Sequence, residues 1–288
     1  MERLSGAELL SWRRKLLRLG GEGHALDWLL DMAAGLSPSG LQALRIHPDR
    51  PLNRPIPLDH LEHLWRKHLM ASAPLQYLVG RCSWRTFELA VGPTVLIPRP
   101  ETELLIDLAL STTPTPAELL WADLGTGSGC LAMALAEAWP MSQGLAVDLS
   151  EKALDLARIN LHKAGMEQRV RLVQGSWLGA LKPWWGRLQL VVSNPPYIPS
   201  HQIDQLEPVV RDHEPRLALD GGHDGLCSIR TIVEAAPSAL APGGWLLLEH
   251  HHDQSEQVLS LLEEQGLVDG QCHRDLEGHK RFVSARRG

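Results

Sequence analysis

Apolar side chains in the first quarter of the chain recur every three or four residues. Leu9, Leu10, Leu16 and Leu17 are followed by Ala25, Trp28, Leu29 and Met32, the spacing that lines one face of a helix. Glycine and proline interrupt the pattern at Gly20-Gly21, at Ser37-Pro38-Ser39-Gly40 and between Pro48 and Pro57, so residues 1–75 read as a small bundle of short helices. Its last member is expected over 58–71, with Leu61, Leu64, Trp65, His68 and Leu69 inward. The period then changes. Arg85 to Val91 alternates, Gly92-Pro93 turns, and Thr94-Val95-Leu96-Ile97 is rich in branched residues. That predicts a β-hairpin linker over 76–98. A helix is expected from Pro98-Arg99-Pro100-Glu101-Thr102-Glu103 to about Leu110, then a loop over 112–116.

Beyond residue 118 short apolar runs alternate with amphipathic ones. Strands are expected at 119–124, 144–148, 170–174, 188–193 and 245–249, and helices at 128–138, 151–164, 226–240 and 253–265. Such alternation implies an α/β fold, a mostly parallel sheet with helices on both faces. The tail from Leu267 to Arg286 reads as two strands turned at Leu276-Glu277-Gly278-His279, which makes the last strand antiparallel. Residues 99–288 therefore form the main domain.

Composition narrows the class. The chain has 288 residues, 44% hydrophobic and 22% charged, as expected of a globular protein. No run approaches the eighteen or so apolar residues of a membrane span, and the opening MERLSGAELLSWRRKLL lacks the apolar core of a secretory signal. A cytoplasmic protein with no membrane contact is expected. Cys82, Cys130, Cys227 and Cys272 are scattered without a CxxC pair, so buried thiols rather than disulfides are expected. The formal charge of −6 is uneven. Residues 1–85 hold twelve Lys/Arg against eight Asp/Glu, and the remainder sixteen against twenty-six. A nucleic-acid enzyme usually presents a basic face, so an acidic main domain argues against DNA as a partner.

Two stretches carry candidate chemistry. Trp121-Ala122-Asp123-Leu124-Gly125-Thr126-Gly127-Ser128-Gly129 runs from a strand through a glycine-rich turn into a helix. Glycine permits positive φ and close approach of backbone to a ligand, and the helix start supplies unpaired N–H groups. Asp148 ends the next strand, nineteen residues past Gly129, where an acid can accept both hydroxyls of a ribose. Taken alone, the turn is also compatible with a tight strand–helix connection. The spacing G-x-G-x-G differs from the G-x-G-x-x-G of dinucleotide sites.

The second stretch is Ser193-Asn194-Pro195-Pro196-Tyr197, directly after the apolar run Leu188 to Val192. Neither proline has an N–H, so the turn cannot extend a sheet ladder. It offers carbonyls on a stiff frame, and Asn194 adds a side-chain oxygen. A planar –NH2 could give one hydrogen to Asn194 Oδ1 and one to the Pro195 carbonyl, with Tyr197 covering its face. A proline-stiffened loop without chemistry is the plainer reading, weakened because ligands bind at the carboxyl ends of strands in open α/β sheets.

DLGTGSG followed by AVDLS resembles the class I S-adenosylmethionine methyltransferases over roughly residues 100–288, whose sheet is Rossmann-like. The resemblance implies that Asp123, Gly125, Thr126, Gly127, Ser128 and Gly129 hold the amino-acid part of the cofactor, Asp123 through the turn or the cofactor amine, and that Asp148 holds the ribose. NPPY after such a turn resembles enzymes that methylate planar –NH2 nitrogens, either protein glutamine or adenine N6. Val95 to Glu103, Glu214-Pro215-Arg216-Leu217-Ala218-Leu219, Gly221 to Leu226 and Gly243 to His250 resemble the bacterial peptide chain release factor N5-glutamine methyltransferases. The match spans nearly the whole chain. It implies S-adenosyl-L-methionine as cofactor and class 1 release factors as protein substrate. Asn194, Pro195, Pro196 and Tyr197 would be the catalytic residues that bind the glutamine of a Gly-Gly-Gln loop, with Asn194 also touching the cofactor. Trp177 would contact the adenine, and residues 1–75 would grip the release factor. A monomer is expected. A ribosomal-protein glutamine methyltransferase, an adenine-N6 methyltransferase and a non-catalytic cofactor-binding scaffold are the rival readings.

Departures from the family pattern stand out. Ser176 occupies the place before Trp177 where the family commonly has an acid. His251 and His252 follow His250 where a glycine is usual. Three adjacent histidines suggest a metal, but neighbours on a strand point to opposite faces. A partly exposed loop and no metal are expected there. Arg99, Glu101 and Glu103 read as helix-start charges or as a segment folding over the site. Asp220 and Asp224 read first as turn residues.

Overall fold

A computed structural model describes residues 4–52, 56–113 and 119–288. The expected loop over 112–116 falls mostly outside them. The chain forms two compact units, one of residues 1–82 with 208–213 and one of residues 83–207 with 214–288.

The first unit contains α1 (Gly6–Leu17), α2 (Gly23–Ala34), α3 (Pro38–Ile46), α4 (Leu58–Ala71) and the short α5 (Leu75–Val79). Their ends follow local chemistry. Ser5 and Glu8 form a capping box on α1. Ser37 caps α3 with Pro38 in its first turn. The α2 helix stops at Gly35, whose φ is 59°. Leu9, Leu16, Leu26, Leu29, Leu30, Leu61 and Trp65 are fully buried between these helices. Arg13 donates twice to Asp27, at 2.5 and 2.9 Å, tying α1 to α2.

The hairpin differs from the expectation. Its strands are β1 (Arg81–Trp84), which spans the unit boundary, and β2 (Phe87–Ala90). They turn at Arg85-Thr86, not at Gly92-Pro93, because Arg85 takes a left-handed φ of 48° and lets the chain reverse one strand earlier. Thr94 to Pro100 is not a strand. After a 3-10 turn at Glu101–Glu103 comes α6 (Leu104–Thr112).

The remaining elements are β3 (Leu120–Leu124), α7 (Cys130–Ala138), β4 (Gln143–Asp148), α8 (Glu151–Lys163), β5 (Val170–Gln174), β6 (Leu188–Ser193), the one-turn α9 (Pro208–Arg211) of the first unit, α10 (Cys227–Ala239), β7 (Leu240–Glu249), α11 (Ser255–Glu264), β8 (Leu267–Arg274) and β9 (Lys280–Arg287). The sheet order is β5-β4-β3-β6-β7-β9-β8. All pairs out to β7 are parallel, while β9 runs antiparallel to β7 and β8. The face carrying Ala122, Leu124, Leu246 and Leu248 shares a core with Ile229, Ile232 and Val233 of α10 and with Val258 and Leu262 of α11. Helices α6, α7 and α8 contact the sheet through β7, β4 and β5. Strand order reverses between β3 and β6, and ligands bind at the crevice this creates. No disulfide forms among the described residues. Cys82 and Cys130 are buried as expected, but Cys227 is exposed and Cys272 half-buried.

Candidate active site

Register decides which side chains meet. Leu124 of β3 pairs with Val147 of β4 and with Ser193 of β6, and Ser193 pairs in turn with Leu248 of β7. The next residue on each strand or turn is Asp148, Gly125, Asn194 or Glu249. Four elements of chemistry thus reach one edge of the sheet in a row. Ser193 Oγ donates to the Leu124 carbonyl at 2.7 Å, locking the two motif-bearing strands together.

The glycine turn is held from both sides. Gly125 and Thr126 N–H both donate to the Val147 carbonyl, at 2.8 and 2.9 Å. Gly127 N–H donates to Asp148 Oδ2 at 2.9 Å, while Oδ1 accepts from Ser150 N–H at 2.8 Å. Burial raises the Asp148 carboxyl above its ordinary range, against these hydrogen bonds. Gly125 has φ 71°, and a Cβ there would stand 3.3 Å from the Trp177 ring. Trp177 itself has φ 47°, a strained value for a tryptophan. Its ring lies over the turn, partly buried against the main core.

Asp123 is wholly buried. Its Oδ2 accepts from Thr126 Oγ1 at 2.6 Å and from Ala132 N–H at 3.1 Å, whereas Oδ1 has no partner. Burial pushes this carboxyl up to about 7. Its visible work is to fix the turn to the start of α7. Asn160, also buried, extends that scaffold. It donates to the Ser128 and Ala90 carbonyls at 2.8 and 3.0 Å and accepts from Ala90 N–H at 2.7 Å.

Asn194 is anchored through its nitrogen. Nδ2 donates to Thr102 Oγ1 at 3.0 Å. The Thr102 hydroxyl donates onward to Glu249 Oε2 at 2.7 Å, and Tyr197 OH reaches Glu249 Oε1 at 3.3 Å. Thr102 and Glu249 are almost fully buried. Burial pushes the Glu249 carboxyl up to about 7, and burial followed by the Glu249 charge raises the Tyr197 phenol.

A cavity of about 380 Å³ opens at this edge. Of the sequence-predicted residues, Gly125, Thr126, Gly127, Ser128, Asp148, Trp177, Asn194 and Pro196 line it. Asp123, Gly129, Pro195 and Tyr197 are not among its lining residues; Asp123 holds the lining Thr126, and Tyr197 bonds Glu249. Thr94 to Arg99 forms one wall, pinned by Glu214. That carboxylate accepts from Ile97 N–H at 3.3 Å and from Arg99 at 2.6 Å. Burial raises the Glu214 carboxyl, partly offset by the Arg99 charge. Asp220 also lines the cavity, but its oxygens are used in its own turn by Ser200, Gly222 and Arg216. Motif reading does not reach Asn160, and it contains Thr102, Glu214 and Glu249 without giving them these roles. A lone acid closing the apolar strand Leu246-Leu247-Leu248 was the available signal for Glu249.

The three histidines part company. His250 is fully buried, with Nδ1 against the His251 carbonyl at 2.7 Å, so the expectation of a partly exposed loop fails for it. Strand β9 covers the position, its Arg281 carbonyl accepting from His250 N–H at 2.9 Å. His251 sits by Asp253 at 2.6 Å, and His252 is exposed. Among the described residues no group of three or more His, Cys, Asp or Glu is placed to hold a metal ion. Nor is any helix among them long and apolar enough to cross a membrane.

Known proteins agree with this architecture. A sequence model of the methyltransferase small domain matches residues 102–222. A protein named release factor glutamine methyltransferase from Prochlorococcus marinus is 49% identical over 287 residues, covering 98% of this chain and 97% of that one. Proteins of the same name from Synechocystis (39%, 98% and 97%) and Geobacter sulfurreducens (40%, 98% and 96%) match as fully. Among solved structures, a methyltransferase from Pyrococcus furiosus aligns with TM-score 0.52 and 17% identity over 69% of this chain and 88% of that one. The hMettl16 catalytic domain with the MAT2A 3'UTR hairpin 6 aligns with TM-score 0.55 and 12% identity over 83% and 84%. The two structures share the fold alone.

Proposed function

The chain belongs to the release factor glutamine methyltransferases, and on that premise we propose that it transfers a methyl group from S-adenosyl-L-methionine to the side-chain nitrogen of the glutamine in the Gly-Gly-Gln loop of class 1 release factors, in the cytoplasm. The residues at the sheet edge fit that cofactor. The glycine turn leaves room where any Cβ at Gly125 would press on Trp177, Asp148 borders the cavity beside it, and the Trp177 ring offers a flat apolar surface. When bound, the cofactor supplies a methyl group on a positively charged sulfur.

One observation carries the reading of the acceptor site. The Asn194 nitrogen is committed to Thr102, so its Oδ1 is left to accept at the cavity wall. We assign the second acceptor to the backbone carbonyl of Pro195, between the lining residues Asn194 and Pro196, which gives a carboxamide –NH2 a partner for each of its two hydrogens. Amide nitrogen is a weak nucleophile because its lone pair is delocalised. What the chain supplies is alignment, which can lower a barrier by about 7–11 kcal/mol at best. Acceptors on both hydrogens also favour positive charge growing on nitrogen. The methylated nitrogen then gives its extra proton to water. We read Pro196 as stiffening the turn and Tyr197 as holding it against Glu249. The helical unit, with its slight excess of basic residues, is the part we assign to gripping the release factor.

Replacing Asn194 tests this directly. Asn194→Ala should lower kcat by about 10²–10³-fold while the dissociation constant of the cofactor, measured by calorimetry on the same protein, moves less than about threefold. Equal losses in both would mean that Asn194 serves the cofactor and not the glutamine.

A further inference from the structure

The acceptor role of Asn194 depends on which way round its amide is held, since its two ends are nearly the same shape and opposite in hydrogen-bonding sense. A glutamine –NH2 can only be bound by an oxygen. If Asn194 were turned over, Nδ2 would face the incoming nitrogen and both would be donors.

Three facts bear on the choice. Thr102 Oγ1 has one hydrogen, and it lies 2.7 Å from Glu249 Oε2. Asn194 Nδ2 lies 3.0 Å from the same Thr102 oxygen. Thr102 and Glu249 are nearly excluded from solvent, so water cannot readily substitute for either partner. A carboxylate accepts and cannot donate. It therefore claims the threonine hydrogen and leaves the threonine oxygen as an acceptor, which selects the Asn194 nitrogen.

We propose that Thr102 and Glu249 are positioning residues whose hydrogen-bond chain has a fixed direction: the Glu249 carboxylate orients the Thr102 hydroxyl, and Thr102 in turn holds the Asn194 amide with Oδ1 toward the acceptor substrate. The proposal rests on the assignment of Asn194 to the glutamine. Its chemistry is confined to orientation, and no proton passes along the chain.

The direction depends on charge. A protonated Glu249 can donate to Thr102 Oγ1, the Thr102 hydrogen is then freed toward Asn194, and the amide is held equally well reversed. The groups facing Glu249 are Thr102 and Glu101 on the 3-10 turn, Tyr197 after β6 and Arg281 on β9, with His250 next in the chain. Tyr197 donates to it, the Arg281 charge favours its ionised form, and Glu101 opposes that form. Arg281 is itself held by Asp275 at 2.8 Å. Burial outweighs the favourable contacts and pushes the carboxyl up to about 7. Ionisation of Glu249 would then be complete only above neutrality, and kcat should rise with pH through that range.

The test compares four full-length proteins acting on an intact release factor: wild type, Thr102→Val, Thr102→Ser and Glu249→Gln. Valine keeps the shape and removes the hydroxyl, while serine restores it. We expect Thr102→Val to lose about 10–100-fold in kcat, with cofactor affinity and melting temperature close to wild type, and Thr102→Ser to recover most of that loss. Glu249→Gln, able to donate as well as accept, should be slow across the range and should lose the acid limb of the kcat profile. A Thr102→Val protein as fast as wild type would overturn the proposal. So would a serine variant no faster than the valine one, or an acid limb that survives in Glu249→Gln. If Glu249→Gln does not fold, the valine–serine pair decides alone. A wild type that labels no glutamine would overturn the functional reading and this inference with it, a different result from an active wild type indifferent to Thr102.

Discussion

Asp123 shows how a side chain can matter to a site without lining it. It joins Thr126 to Ala132 and so fixes where the glycine turn becomes a helix. One oxygen is buried without a partner, which disfavours the charged form. A carboxyl raised from 3.8 to about 7 in the folded chain binds a proton that the unfolded chain releases at lower pH. Folding stability from this group is therefore present below the unfolded value and declines as pH rises toward about 7. Asp123→Asn cannot titrate. The stability of wild type minus that of Asp123→Asn, from chemical unfolding at a series of pH values, should fall between about pH 4 and 7 and level off above. A difference that stays flat or rises would show that the Asp123 charge is compensated in the fold. Ser176, the departure from the family's acid, is exposed at the cavity edge next to Trp177, so a hydroxyl there meets solvent as well as ligand.

Strand pairing explains most of what sequence reading could and could not reach. The alternation of short apolar runs with amphipathic segments is strong because the central parallel strands β3, β4 and β6 are largely buried, and the sheet appears where expected, including the antiparallel tail, although β7 begins at Leu240, five residues ahead of the expected start. The motif around Glu249 assigns it no role, because its meaning comes from register: only the pairing of Ser193 with Leu248 carries it to Asn194. Thr102 was hidden for the same reason, lying 92 residues from its partner. The hairpin was misplaced because Gly92-Pro93 is the stronger turn signal by composition, while Arg85 adopts positive φ without a residue type that announces it. Register also fixes tolerance to substitution. Trp121 of β3 lies opposite Gly144 of β4, and a Cβ on Gly144 would come within 2.1 Å of its ring. Trp121 cannot retreat, being fully buried with Nε1 on Ser142 Oγ at 2.8 Å. Gly144→Ala should therefore cost about 1–3 kcal/mol, read as a lowered melting temperature followed by tryptophan fluorescence. An unchanged transition would mean that the strand pair can spread at no cost.

At the scale of the molecule, the site is assembled entirely within one unit: the glycine turn, the wall pinned by Glu214 and the Asn194–Thr102–Glu249 chain all lie between residues 83 and 288. The chemistry of the transfer was legible because two short motifs sit at adjacent strand ends. The protein substrate was not legible from charge or periodicity. It entered through the resemblance of whole segments, since a surface that grips a partner follows no simple spacing rule. The acceptor pair at Asn194 would suit any planar –NH2, an adenine included, so the identity of the acceptor is the central claim. The direct measurement supplies pure protein with methyl-labelled S-adenosylmethionine and, in parallel, a class 1 release factor, the same factor with its loop glutamine changed to alanine, and duplex DNA, and then locates the label by mass spectrometry. The account predicts label on the side-chain nitrogen of that glutamine, none on the alanine variant and none on DNA. Label on DNA, or label that persists on the release factor after Gln→Ala, would contradict it.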